Sequence, residues 1–137
     1  RFGPTGCDVA RCVKELDDAC APLLDAATEM GAQVWVVSEY GHCDVSRPVY
    51  PNRVLREAGL LEVRRGPFGE QLELYESRAF AVVDHQLAHV YVRNPADLAR
   101  VRAALAEVPG VAKLLAGEEV AEIGLNHPRT GALVLLS

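Results

Sequence analysis

Residues 31–45, GAQVWVVSEYGHCDV, constrain the fold of this chain more than any other stretch. A helical pattern leads into them. Val9, Cys12, Val13, Leu16, Cys20, Leu23, Leu24, Ala27 and Met30 recur every three or four residues, with Asp17, Asp18 and Asp25 on the other side. Gly31 is a natural helix stop. Pro22 removes one backbone bond inside the pattern and is expected to kink the helix. The apolar run 34–37 follows almost at once. A helix delivering its chain into a short, uninterrupted apolar run predicts a strand buried on both faces, as in a parallel sheet. The polar continuation, Ser38-Glu39-Tyr40-Gly41-His42, then falls beyond the carboxyl end of that strand, where α/β proteins gather functional groups.

The rest of the chain predicts further elements. A short helix starts at Pro51, uses Val54, Leu55 and Ala58 as its apolar side and ends at Gly59. Two short strands, LLEV and QLELY, flank the turn RRGPFGE. Two more, 79–83 and 89–92, are joined by the polar link Asp84-His85-Gln86. Asn94 caps a helix whose first position is Pro95, with Leu98, Val101, Leu105 and Val108 facing inward. VAKLL and AEIGL are weaker strand candidates, HPRTG is a turn, and ALVLL is a last strand. The expected architecture is α/β, with a mixed sheet flanked by helices and a small α+β sub-layer around the 95–108 helix. By length, residues 1–137 make a single domain. Its parts are a helix with a core strand (1–44) and an inserted α+β portion (45–137).

Composition narrows the function classes. The net charge is −5, and Arg64-Arg65 and Arg100/Arg102 are isolated basic pairs rather than a stripe, so no nucleic-acid partner is expected. The apolar runs are too short to span a bilayer, and no charged-then-apolar leader occurs, so no membrane association is expected. Cys7, Cys12, Cys20 and Cys43 include no C-x-x-C pair, which argues against a zinc knuckle. Free thiols in a cytoplasmic protein are expected, with Cys12 and Cys20 as small core residues. The chain opens on Arg1 and stops on ALVLLS, which suggests a piece of a longer protein. A truncated sheet would leave an unpaired edge, hence the expectation of a homodimer formed through exposed edges.

Two constellations could carry chemistry. Glu39 at a strand tip, with Gly41 allowing a sharp exit, is well placed to bind a divalent metal; the alternative is an ordinary loop acid. His42 and Asp44 flank it. The second constellation is Asp84, His85 and His89, polar groups near strand ends that could bind a metal or a phosphate group. The His85-x3-His89 spacing brings two imidazoles together only on a helix, and the segment reads as strand and turn. His127 reads as a turn residue. No Gly-rich phosphate loop, G-x-S-x-G elbow or H-E-x-x-H motif occurs.

Taken together, Gly3-Pro4, Gly31-Ala32, Ser38-Glu39-Tyr40-Gly41, AFAVVDHQLAHVYV and LNHPRTGALVLLS resemble the later part of the alkaline phosphatase superfamily, in its type I phosphodiesterase/nucleotide pyrophosphatase branch. In that branch a helix opened by Gly-Pro ends at Gly-Ala, and a buried strand delivers Ser-Asp-His-Gly. The resemblance implies a metal-dependent hydrolase of phosphate esters or pyrophosphates, with zinc or manganese as cofactor and a small-molecule phosphate ester as substrate. It places Glu39 and Tyr40 at metal-ligand positions, where the branch has Asp and His. A carboxylate can still ligate, whereas a phenol binds zinc poorly unless ionised, with a reference pKa near about 10. His42, Asp84, His85 and His89 are the substrate-binding candidates. The branch's nucleophile has no counterpart here, so the resemblance implies a carboxy-terminal fragment with no catalytic residue of its own and no activity alone. The alternative is a divergent, non-enzymatic α/β binding or interaction domain that has lost the metal site.

Overall fold

The computed structural model describes residues 5–137. It divides into two compact units, Arg1–Ser46 and Arg47–Ser137. Helices and sheets occur together, as expected.

The first unit is a helix and an extended segment. Helix α1, Val9–Glu29, runs through Pro22 as one element, and Gly31 follows with a positive φ of +72°. Its polar side is laced by ion pairs, Arg11 with Asp8 and Glu15, and Lys14 with Asp18. These i,i+3 and i,i+4 pairs support a helix surface. The apolar stripe buries nothing: Val13, Leu16 and Leu23 are exposed, and Cys12 and Cys20 are only half-covered rather than core residues. Residues 34–37 correct a second expectation. They form no strand, and Trp35, Val36 and Val37 are exposed. A strand exists only where its main-chain groups meet a partner, and no described strand pairs with this run. The parallel part of the expected mixed sheet rested on it. Every observed strand pair is antiparallel. The Gly3-Pro4 match lies outside the described residues.

The second unit holds the core. Helix α2, Pro51–Glu57, starts on Pro51 and is ended by Gly59 at φ +65°. Strands β1, Glu62–Gly66, and β2, Gly69–Glu73, pair as a hairpin. Gly66 pairs with Gly69, so the turn shrinks to Pro67-Phe68 and the expected loop residues Arg64 and Arg65 join the strand. Strands β3, Ala79–Asp84, and β4, Leu87–Val92, form a second hairpin. A 3-10 turn at Pro95–Asp97 leads into helix α3, Leu98–Ala106, and Asn94 caps it by accepting from the Ala96 N–H at 3.0 Å. Strand β5, Lys113–Leu115, helix α4, Glu118–Glu122, and strand β6, Leu133–Leu136, complete the unit. The four-stranded sheet has the order β3-β4-β6-β5.

AEIGL is not a strand. It straddles the end of α4, whose first turn carries Glu118 and Glu119, and Gly124 at φ +76° turns the chain out. Acids at a helix start favour the helix dipole, and Glu119 also accepts from the Ala116 N–H at 3.0 Å.

One sheet face makes the core. Ala79, Ala81, Ala88, Val90, Leu133 and Leu135 are buried there against Leu55 of α2 and Val101 and Leu105 of α3. The three alanines leave room for the larger helix side chains. Each fully buried leucine or valine contributes roughly 1.5–3 kcal/mol relative to exposure. The opposite face carries Phe80, His89 and Tyr91. Phe80 and Tyr91 stack at 5.1 Å between centroids, and the Tyr91 hydroxyl donates to the Arg129 carbonyl at 2.8 Å, fixing the loop before β6. Buried Asp97 accepts both ends of the Arg78 guanidinium fork, which offsets the cost of its burial.

Candidate functional site

Glu39, Tyr40 and His42 lie in the extended segment of the first unit. Ser38 Oγ donates to the Tyr40 carbonyl at 2.7 Å across a bend at Glu39. This short hydroxyl-to-carbonyl bridge gives the Ser-Glu-Tyr turn its shape without neighbouring strands. Glu39 and His42 are exposed, and Tyr40 is about half-exposed. Asp44 accepts from Thr5 Oγ1 at 3.1 Å, tying the far end of the segment to the residues before α1.

Asp84, His85 and His89 lie in the second unit. Asp84 pairs with Leu87, so His85-Gln86 is a two-residue hairpin turn, and His85 adopts φ +52°. Asp84 Oδ1 and His85 Nδ1 are 2.6 Å apart. A carboxylate on one ring nitrogen fixes the imidazole's orientation and favours a proton there. His89 is half-buried in β4, opposite Val82 and Val134, and its Nδ1 accepts from the Gly131 N–H at 3.5 Å. The four-residue spacing of the two histidines is therefore turn to strand, not one helical face. His127 is a turn residue, its Nδ1 accepting from the Arg129 N–H at 3.1 Å.

The resemblance implies a divalent metal, and the donor set does not fit one by itself. Among the described residues, no group of three or more His, Cys, Asp or Glu side chains could hold a metal ion. Glu39 offers one carboxylate and Tyr40 a phenol. Structural and catalytic sites for zinc take three or four protein donors, so these residues alone do not make such a site.

The second unit has a shallow cleft of about 260 Å³ between α2 and the β1–β2 hairpin, lined by Arg53, Arg56, Leu61, Val63, Glu70 and Gln71 among others. Its charged groups are already engaged. Arg56 makes a two-pronged contact with Glu70 at 2.6 and 3.0 Å, and Arg53 lies over the Tyr50 ring at 4.7 Å. The hydrogen bond and charge of Arg56 hold the Glu70 carboxyl below its ordinary range, and Glu70 raises Arg56 in return. Another polar arrangement has no signature in the sequence. Asn52 bonds both main-chain groups of Ala81, and a lone asparagine in a short helix carries no spacing signal.

Type I phosphodiesterase / nucleotide pyrophosphatase is the family whose model matches this chain, over residues 1–137. The chain belongs to that family. No curated protein and no solved structure matches it. Among the described residues, no helix is long and apolar enough to cross a membrane.

Proposed function

We propose that this chain serves as part of a metal-dependent hydrolase that cleaves phosphate diesters or pyrophosphates of small molecules, and that it is inactive by itself. The observation that carries the reading is the family match along its whole length. Two features support the view that it works within a larger assembly of polypeptide. The apolar stripe of α1 and the run 34–37 lie exposed, and the donors among the described residues fall short of a metal site. In this reading Glu39 contributes one carboxylate to a zinc or manganese site completed by other residues. A divalent metal supplies Lewis acidity to phosphoryl chemistry. Asp84 and His85 place an imidazole, oriented by a carboxylate, at an exposed turn, where it would contact the substrate. The setting is cytoplasmic.

The purified 137-residue chain should not hydrolyse a nitrophenyl phosphodiester with zinc or manganese present; robust metal-dependent turnover would overturn the claim of inactivity. In the longer protein, Glu39→Ala should weaken manganese binding in a calorimetric titration, and unchanged affinity would remove Glu39 from the site. A second reading, a binding domain without catalysis, is favoured by Tyr40, a phenol beside the acid. It predicts that the longer protein binds a phosphate ester and leaves it intact at every metal concentration.

A further inference from the structure

All four cysteines of the first unit are free thiols, but they fall into two settings. Cys12 and Cys20 are half-covered on α1, and about 12 Å of helix rise separates them, too far for a disulfide. Cys7 and Cys43 are exposed and lie outside any helix or strand. They sit on two segments, distant in sequence, that the fold of this unit brings into contact.

The contact is made beside both thiols. Thr5 Oγ1 donates to Asp44 Oδ2 at 3.1 Å. Cys43 directly precedes Asp44. Cys7 stands two residues after Thr5, within the turn that the Val9 N–H closes on the Gly6 carbonyl at 3.1 Å. Residues 32–44 hold no helix or strand, so a shift of Cys43 toward Cys7 breaks no ladder bond.

We propose that Cys7 and Cys43 are a reversible dithiol pair, oxidised to a disulfide by exchange with a small-molecule disulfide such as oxidised glutathione. One cysteine thiolate attacks a glutathione sulfur, forms a mixed disulfide and expels one glutathione thiolate. The thiolate of the other cysteine then attacks the protein sulfur of that mixed disulfide. The protein S–S bond forms and the second glutathione thiolate leaves. The two leaving thiolates take up the two protons that the cysteines gave, and the two electrons lost by the protein reduce the oxidant. Closure needs the two Cα atoms within about 7 Å, which the coil reaches by a local adjustment. The bond closes a loop containing α1 and residues 38–42, so it pins the segment carrying Glu39, Tyr40 and His42 to the start of the helix. In the reduced form the exposed Thr5–Asp44 hydrogen bond makes that tie. In a glutathione-buffered compartment such a disulfide is transient and reports redox state. The inference does not rest on the metal or substrate proposed for the segment.

The test equilibrates the full 137-residue chain in a series of oxidised-to-reduced glutathione ratios, with and without denaturing urea. In the folded protein, titratable thiols should fall from four per chain to two. After alkylation, cleavage at arginine and glutamate should release residues 2–11 joined to residues 40–53 in mass spectrometry. Half-oxidation should need a ratio about tenfold or more lower in the folded chain than in urea, because the fold holds the two thiols near each other. Hydrogen exchange at residues 38–44 should slow on oxidation and recover with reductant. Cys43→Ser should give a glutathione adduct at Cys7 and no cross-link. Four titratable thiols at every ratio overturn the proposal, and so does a cross-link from Cys7 to Cys12 or Cys20 in place of Cys43. Half-oxidation at the same ratio with and without urea overturns it equally, since the pairing would then owe nothing to the fold.

Discussion

Leu16 and Leu105 each sit on the apolar stripe of an amphipathic helix, yet Leu16 is 65% exposed and Leu105 is 0% exposed. The periodicity that announces α1 is the longer and more regular of the two. What separates them is a partner: α3 has α2 and the sheet against it, whereas none of the described residues of the first unit buries the stripe of α1. Apolar spacing thus reports which face of an element wants cover. It does not report whether the cover is present. Stability in this chain should accordingly be concentrated in residues 47–137.

The sharpest way to break that contrast is a matched truncation. Leu105→Ala empties a fully buried site and should cost about 2–5 kcal/mol in urea denaturation followed by circular dichroism. Next in size is Gly131→Ala. Its added Cβ would lie 2.6 Å from the Val90 nitrogen and oxygen, so the strand entering β6 must move off β4. Overpacking of this kind costs about 1–3 kcal/mol, read as a lowered denaturation midpoint. Asn94→Ala removes the cap of the 3-10 turn leading into α3 and should cost about 1 kcal/mol. Its Asn94→Gly counterpart should lose only a fraction of that. Leu16→Ala, in contrast, should change stability by less than about 0.5 kcal/mol. A loss there comparable to that at Leu105 would mean that α1 is covered in solution.

The smallest effect is a pH dependence at the rim of the second unit. Folding lowers the Glu70 carboxyl through its bond to Arg56. A lowered folded value means that the contribution is present above the unfolded pKa, near about 4.3. It is lost as pH falls through the lower folded value. The difference in midpoint between the wild type and Glu70→Gln should therefore hold steady through neutral pH and vanish in acid. Both groups are exposed, so the shift should be near the limit of measurement.

These outcomes bear on how much of the molecule could be read from the sequence. The helix beginning at Pro95 was legible because Asn94 and Pro95 act locally: one side-chain bond and one fixed φ suffice to start it. The turns at Gly31 and Gly59 were legible for the same reason, since both adopt positive φ. Residues 34–37 were not, because a strand is a relation between two segments. AEIGL misled because its apolar residues fit either period, and the acids that decided the matter, Glu118 and Glu119, stand before it. At the candidate site, the Ser-Glu-Tyr-Gly pattern identified the family, which the match over residues 1–137 shows. The contact of Asp84 with His85 sits where a two-residue turn, His85-Gln86, replaces the longer link expected between the strands.

The order of strands across the sheet has a further consequence, for the timing of folding. β6 lies between β4 and β5, although it follows both in sequence. Until residues 133–136 have left the ribosome, β5 has no strand to join, and β4 keeps one flank bare. The sheet therefore assembles by closing over its middle, after about forty residues of intervening chain have waited unpaired. During synthesis, the β3–β4 hairpin must persist with an open inner flank, and that interval is when the unit is most open to pairing with the wrong chain.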